Sequence, residues 1–268
     1  ITGGEDDDYF SILVLDLGLK GSFSNAVRPV TFEYHTILSG YFSFGEGNSD
    51  SSGFMQDTYQ IMTTEVTNLQ YSEFLNVANQ LGIIDNNIGP WVTDLEGNIL
   101  YNLEDGKITW DGYLFKAQYD TDANAEDPTD YNDHPVTFVS WFGANRFAEF
   151  FNFRLPMEKE WEKAARAENA TDYPWGNYID PPVTNTPNTT NANYLDSGDP
   201  CEPGIEGSPC PGSGTTPVGD DWFLHPYGGL YDMAGNVWEW VTRDEDMMDV
   251  SMRMYRGGSW KSPKQDLR

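Results

Sequence analysis

Two strings, YDMAGNVWEW from Tyr231 to Trp240 and RGGSW from Arg256 to Trp260, constrain what this chain can fold into more than any other part of it. Gly235 permits a tight backbone turn, and Asn236 and Glu239 bring oxygen ligands beside it. Trp238 and Trp240 supply large planar surface to bury around that turn. The segment reads as a rigid loop built around polar groups.

Five further strings stand upstream in a fixed order: EVTNLQYSEFL (Glu65 to Leu75), HPVTFVSWFGA (His134 to Ala144), RLPMEKEWEKAAR (Arg154 to Arg166), YPWGN (Tyr173 to Asn177) and TTPVG (Thr215 to Gly219). Together with the first two they resemble the sulfatase-modifying-factor domain, the fold of the formylglycine-generating enzyme, over roughly residues 36 to 268. The resemblance implies an α+β, loop-rich fold related to C-type-lectin-like domains, with few short helices and small twisted antiparallel sheets. It leaves function open, because a fold persists when its site is lost.

The oxidase members of that family bind copper through two cysteines, three and eight residues after the Ser of the GGS motif. Here those places are Ser262 and Leu267. Copper(I) needs soft thiolates, which a hydroxyl and an isobutyl group do not replace. No copper and no oxidase activity are therefore expected, and Ser259 with Ser262 reads as a pocket remnant. Ser259 itself is ordinary turn composition after two glycines.

Calcium is the cofactor that the resemblance does imply. Its ligands carry over onto the side chains of Asp232 and Glu239 and the carbonyls of Gly235 and Val237, hard oxygens suited to Ca²⁺. A second site would use Asn193 and the Tyr194 carbonyl, with its other ligands displaced by the Cys201 to Cys210 loop. The competing reading of the first site is a loop closed by hydrogen bonds alone.

Composition narrows the setting. The 9 Trp, 15 Tyr and 15 Phe among 268 residues can fill one substantial core. No stretch has the apolar length to span a bilayer. A net charge of −28, from 43 acidic against 15 basic residues, argues against nucleic acid or anionic membrane as partner. Cys201 and Cys210 enclose a Gly- and Pro-rich loop and read as a local disulfide, which in an oxidising compartment contributes ~2 to 3 kcal/mol. Those features point to a secreted or cell-surface protein. The start at Ile1 suggests a processed form, and the stop at Arg268 falls before the last strand usual in the family. No nucleotide loop, GxSxG or paired-histidine motif is present, and His35, His134 and His225 lie far apart.

Three helices are expected. Residues 68 to 81 carry Tyr71, Phe74, Leu75 and Ala78 on one face behind a Thr67–Gln70 capping box. A second helix follows Ser140 as N-cap, and a third starts at Pro156 with Glu158 and Glu160 in its first turns. Residues 84 to 133 look added to the common domain. Within them Asp120, Asp122, Asn124, Glu126 and Asp127 resemble half a calcium loop, but Ala125 and Tyr131 stand where Gly and Glu are wanted, so a solvated acidic loop is the preferred reading.

Residues 1 to 35 read as an N-terminal extension, with strands at Tyr9 to Leu19 and Val30 to Tyr34. The first strand either pairs with its own domain or completes the sheet of a neighbouring copy, which would build a filament or ring. The leading expectation for function is a non-catalytic extracellular module that binds a protein partner or self-assembles through this strand. The alternatives are an enzyme of different chemistry, an oxidase or maturation factor in the same pocket, and a calcium-dependent module that binds glycans through exposed Trp.

Overall fold

The computed structural model describes residues 10–11, 15–16, 30–45, 51–120, 129–166, 171–177, 192–197, 214–219, 229–243 and 253–267. Short strands open the chain: β1 (Phe10–Ser11), β2 (Leu15–Asp16), β3 (Tyr34–Ile37), β4 (Gly40–Phe44), β5 (Ser51–Met55) and β6 (Tyr59–Met62). Helix α1 (Asn68–Gln80) follows, with the expected capping box, in which the Thr67 side chain accepts from Gln70 N–H and Gln70 returns to Thr67 N–H. Its buried face carries Tyr71, Phe74, Leu75 and Ala78 into the core.

Residues 84 to 133 are integral to that core. They form β7 (Ile84–Ile88), β8 (Trp91–Asp94), β9 (Ile99–Asn102), β10 (Ile108–Trp110), β11 (Phe115–Ala117), β12 (Tyr119–Asp120) and β13 (Thr129–Asp130). Val92, Leu100, Tyr101, Ile108 and Phe115 belong to one cluster with α1. Asn76 exchanges two hydrogen bonds with the Phe115 backbone, at 2.9 and 2.7 Å, which registers β11 on the helix. Residues 121 to 128 of the acidic stretch lie outside the described residues, as do Cys201 and Cys210.

Helix α2 (Trp141–Phe150) starts after the Ser140 N-cap, as expected. β14 (Phe153–Arg154) precedes α3 (Glu158–Arg166), which begins two residues later than the sequence suggests. The reason is local: the Pro156 carbonyl accepts from Thr242 N–H, and Glu160 turns back to accept from Met157 N–H at 2.7 Å. β15 (Trp238–Val241) and β16 (Met254–Arg256) complete the strands.

The sheets are small and mostly antiparallel. Their orders are β14-β2-β6-β3, β7-β8-β9 and β1-β15-β16, beside the two-stranded pairs β4-β5, β10-β11 and β12-β13. The β1–β15 pair is parallel. The strand expected at Val30 to Tyr34 instead starts at Tyr34. β3 can be only as long as its partner, and β6 ends at Met62, opposite Tyr34. Phe32 leaves the ladder to pack edge-on against Phe147, Phe151 and Phe153.

Residues 10–11 and 15–16 of the N-terminal segment pair within the chain's own sheets. Phe10 and Ser11 pair with Trp238 and Glu239, and Leu15 and Asp16 lie between β14 and β6. Removing residues 1–22 should therefore strip an interior strand and lower the melting temperature or prevent folding. A truncated chain that melts with the full one would show that these pairings contribute nothing.

Candidate functional site

The loop from Gly229 to Val237 is held from four directions. Tyr231 N–H donates to Thr63, Gly235 N–H to the Gly257 carbonyl at 2.8 Å, and Asn236 N–H to the Asn193 carbonyl at 2.8 Å. The Asn236 carbonyl accepts from Trp260 N–H at 2.9 Å. The Asn236 side chain accepts from Thr216 N–H and donates to a Glu65 oxygen at 3.1 Å. Asn236 thus ties the WEW segment, the GGSW turn, the TTPVG string and the start of EVTN together.

Backbone strain gathers here. Asp232, Gly235, Asn236, Gly257 and Gly258 all have positive φ. For Asp232 and Asn236 this is a left-handed conformation that L side chains seldom adopt, and such strain persists only where the surroundings enforce it. At Gly235 a side chain is barred outright, because a Cβ would stand 2.3 Å from the Asn193 carbonyl oxygen.

Inside the loop lie three buried carboxyls, Glu65, Asp232 and Glu239. Glu239 accepts from Trp161 Nε1–H at 2.5 Å through one oxygen, and its other oxygen has no hydrogen-bond partner. One Glu65 oxygen is likewise without a donor, while Asp232 accepts from Gly219 N–H at 3.1 Å. Burial pushes the Glu239 carboxyl up to about 8, against the Trp161 N–H and with the Asp232 charge. Burial, then the charges of Asp232 and Glu239, push Glu65 well above the usual carboxylate range. Glu65 and Asp232 face each other as acceptors, so only a shared proton or a cation reconciles them.

The residues fit a hard cation, since two buried carboxylate oxygens await a donor or a metal. Among the described residues no three or more acidic, His or Cys side chains form a ready metal cage. A cation here would draw on main-chain carbonyls as well. The second candidate site looks different. The Asn193 amide donates to the Gly214 carbonyl at 2.8 Å, joining two loops, and the Tyr194 carbonyl accepts from Ser197 N–H within a local turn.

The two positions that carry thiols in the oxidases are filled with structure. Ser262 accepts from Ser259 N–H at 3.0 Å, and the two hydroxyls stand 3.1 Å apart within the turn. Leu267 is buried among Tyr173, Ala192, Tyr194 and Ala234. A hydroxyl committed to a turn and an aliphatic side chain do not fit copper(I).

The Sulfatase-modifying factor enzyme 1-like domain matches residues 22–268. The chain belongs to this family. The matched segment begins upstream of residue 36, where the resemblance in the sequence strings starts. Two relatives are the Inactive C-alpha-formylglycine-generating enzyme 2 of Bos taurus, 38% identical, and the Formylglycine-generating enzyme of Mycobacterium tuberculosis, 30% identical. The first match covers 48% of this chain and 39% of the relative, the second 67% and 61%. The chain thus spans less than two thirds of either. Among solved structures, PvdO from Pseudomonas aeruginosa superposes with a TM-score of 0.53 at 17% identity, covering 87% of this chain and 84% of that one. The likeness is one of fold, which in the described residues of this chain is mixed α+β with three α-helices and small sheets.

The structure brings the string residues Asp232, Gly235, Glu239 and Ser259 close to one another, with Asn193, from outside the strings, bonded to Asn236. The sequence reading missed Glu65 and Trp161, which stand in quoted strings without a role. Glu65 stands two residues before the Thr67 N-cap of α1. Its burial beside Asp232 depends on a loop that is distant in sequence, with Asn236 171 residues away, and had no local signal.

Proposed function

We propose that this chain is a non-catalytic member of the family, a rigid module that presents its surface to a protein partner, with a calcium ion fixing the loop at Asp232 and Glu239. The observation that carries it is the filling of both thiol positions, by the turn hydroxyl of Ser262 and the buried Leu267. That relatives of similar sequence include proteins named as inactive supports the same reading.

Asp232 and Glu239, with the Gly235 and Val237 carbonyls and Glu65 nearby, would hold the ion. Bound calcium would supply the positive charge that this buried acidic group lacks, and so rigidity rather than reaction. The acidic composition suits an exterior setting. Self-assembly through the N-terminal strand would then be an exchange between copies of the seat beside β15 and β6.

Incubated with copper and a sulfatase-type cysteine peptide, the chain should yield no aldehyde product by mass spectrometry. Turnover above a no-protein control would overturn the reading. Installing cysteine at position 262 alone should not restore activity, since copper would still lack its second thiolate.

A further inference from the structure

A cavity of about 360 Å³ opens between the end of α1, the β8–β9 turn and α2, sharing no residue with the site above. Its floor is apolar, made by Phe74, Ile84, Leu100 and Phe150. At its rim two aliphatic side chains stand in water, Ile83 at 42% exposure and Leu95 at 71%. Single exposed apolar residues need no explanation, but two facing one apolar cavity make a continuous surface.

Leu95 is not held outward by accident of a loose loop. Asp94 accepts from the N–H groups of Glu96 and Asn98 through one oxygen and from the Asn98 side chain through the other. Gly97 completes the turn at φ +86°. A turn so constrained presents Leu95 without an ordering cost on binding.

The polar side of the cavity has an excess of negative charge. Among the described residues Arg146 is the one cation that lines it, and it meets three carboxylates: Asp94 at 3.3 Å, Glu96 at 2.9 Å and Glu149 at 3.4 Å. Two negative charges are left over. Glu96 and Glu149 are themselves more than half exposed, so an incoming cation reaches them without desolvating the Arg146 pair.

We propose that this groove docks a protein segment in which an aliphatic side chain is flanked by lysine or arginine. The aliphatic group enters between Ile83 and Leu95 onto the floor of Phe74 and Leu100, and the basic groups lie along Glu96 and Glu149. The volume is at the low end of the roughly 300 to 1,000 Å³ that small-molecule pockets occupy, which suits one or two side chains better than a large cofactor. Complementary charge would set the register and speed association, and the apolar contact would supply most of the affinity.

The test uses the full chain with labelled methyl groups, titrated with a capped Lys-Leu-Lys peptide and observed by NMR. Saturable shifts are expected at Ile83, Ile84, Leu95 and Leu100. A Lys-Ala-Lys peptide should bind about tenfold more weakly for want of the buried side chain, and a Glu-Leu-Glu peptide equally so through repulsion. The double variant Glu96→Lys/Glu149→Lys changes only exposed positions, and should weaken the basic peptide about tenfold while admitting the acidic one. Absence of saturable shifts, equal binding of basic and acidic peptides, or shifts confined to other methyl groups would each overturn the proposal. Its failure would leave the non-catalytic reading intact, since the peptide assay involves neither copper nor the Ser262 turn.

Discussion

Withdrawing calcium with a chelator should lower the melting temperature of this chain at pH 7.5 by roughly 5 to 10 °C, and by much less at pH 5. The sign follows from the buried carboxyls. Glu239 has its folded pKa raised from the ordinary carboxylate range to about 8, chiefly by burial. Without a cation, the folded state holds a proton there that the unfolded state has released. The penalty is absent below the unfolded pKa, grows as pH rises through the window toward 8, and then levels off. At pH 7 it is of order 3 kcal/mol for this one group, at about 1.4 kcal/mol per unit. Glu65 is shifted in the same direction by burial and by the charges of Asp232 and Glu239. A bound divalent ion offsets these costs while both groups stay ionised, so calcium should matter most where the metal-free protein is weakest.

A net charge of −28 makes any such protein gain something on acidification, so the comparison needs a variant that removes one charge and nothing else. Glu239→Gln keeps an acceptor for Trp161 Nε1–H. It should leave the metal-free protein more stable than wild type at pH 7.5, flatten its dependence on pH, and remove most of the response to chelator. Melts of wild type that are the same with and without chelator, at both pH values, would rule out a cation at this loop.

What the sequence made legible was local or carried by a pattern. The Thr67–Gln70 box, the Ser140 cap and the apolar face of α1 all follow from residues within one or two turns, and the structure realises each of them. The Asp-, Asn- and Gly-rich strings DLEGN and NLEDG separate β8 from β9 and β9 from β10. What was not legible depends on pairing at long range. VTFEY has the composition of a strand, but only its last residue, Tyr34, enters the ladder, because β6 ends at Met62. YFSILVLDLGL is a continuous apolar run, yet Phe10–Ser11 and Leu15–Asp16 belong to two different sheets. Residues 84 to 133 read as an addition to the common domain, being longer than the resemblance needs between the first helix and the HPV string. Their residues Val92, Leu100, Ile108 and Phe115 pack into the core with α1, a long-range contact that the string order alone does not reveal. At the site, motif positions gave Asp232 and Glu239, while the third carboxyl, Glu65, is brought beside them by long-range contacts with Asn236 and Asp232.

Gly143→Ala should destabilise the chain by about 3 kcal/mol or more, although alanine in a helix is ordinarily favoured over glycine by about 1 kcal/mol. Gly143 lies in the first turn of α2, where its N–H donates to the Ser140 hydroxyl at 3.1 Å. That end of the helix is pressed onto β9: Ser140 N–H donates to the Leu100 carbonyl, the Ser140 hydroxyl donates to Ile99, and Val139 bridges to Tyr101. An added Cβ would stand 2.1 Å from the Leu100 carbonyl oxygen and 2.7 Å from the Tyr71 hydroxyl. The first obstacle is backbone and does not swing aside, so α2 must lift from β9, disturbing the packing of Tyr71 against Phe147 that joins α1 to α2. Gly97→Ala is the contrasting case. Its φ is +86° but nothing lies within 4 Å of the new atom, so the cost should be only the backbone strain, of order 1 kcal/mol. Denaturant midpoints of the two variants separate steric from conformational cost. A Gly143→Ala chain as stable as wild type, or more so, would mean that helix propensity outweighs this contact and that α2 does not sit on β9 as closely as described.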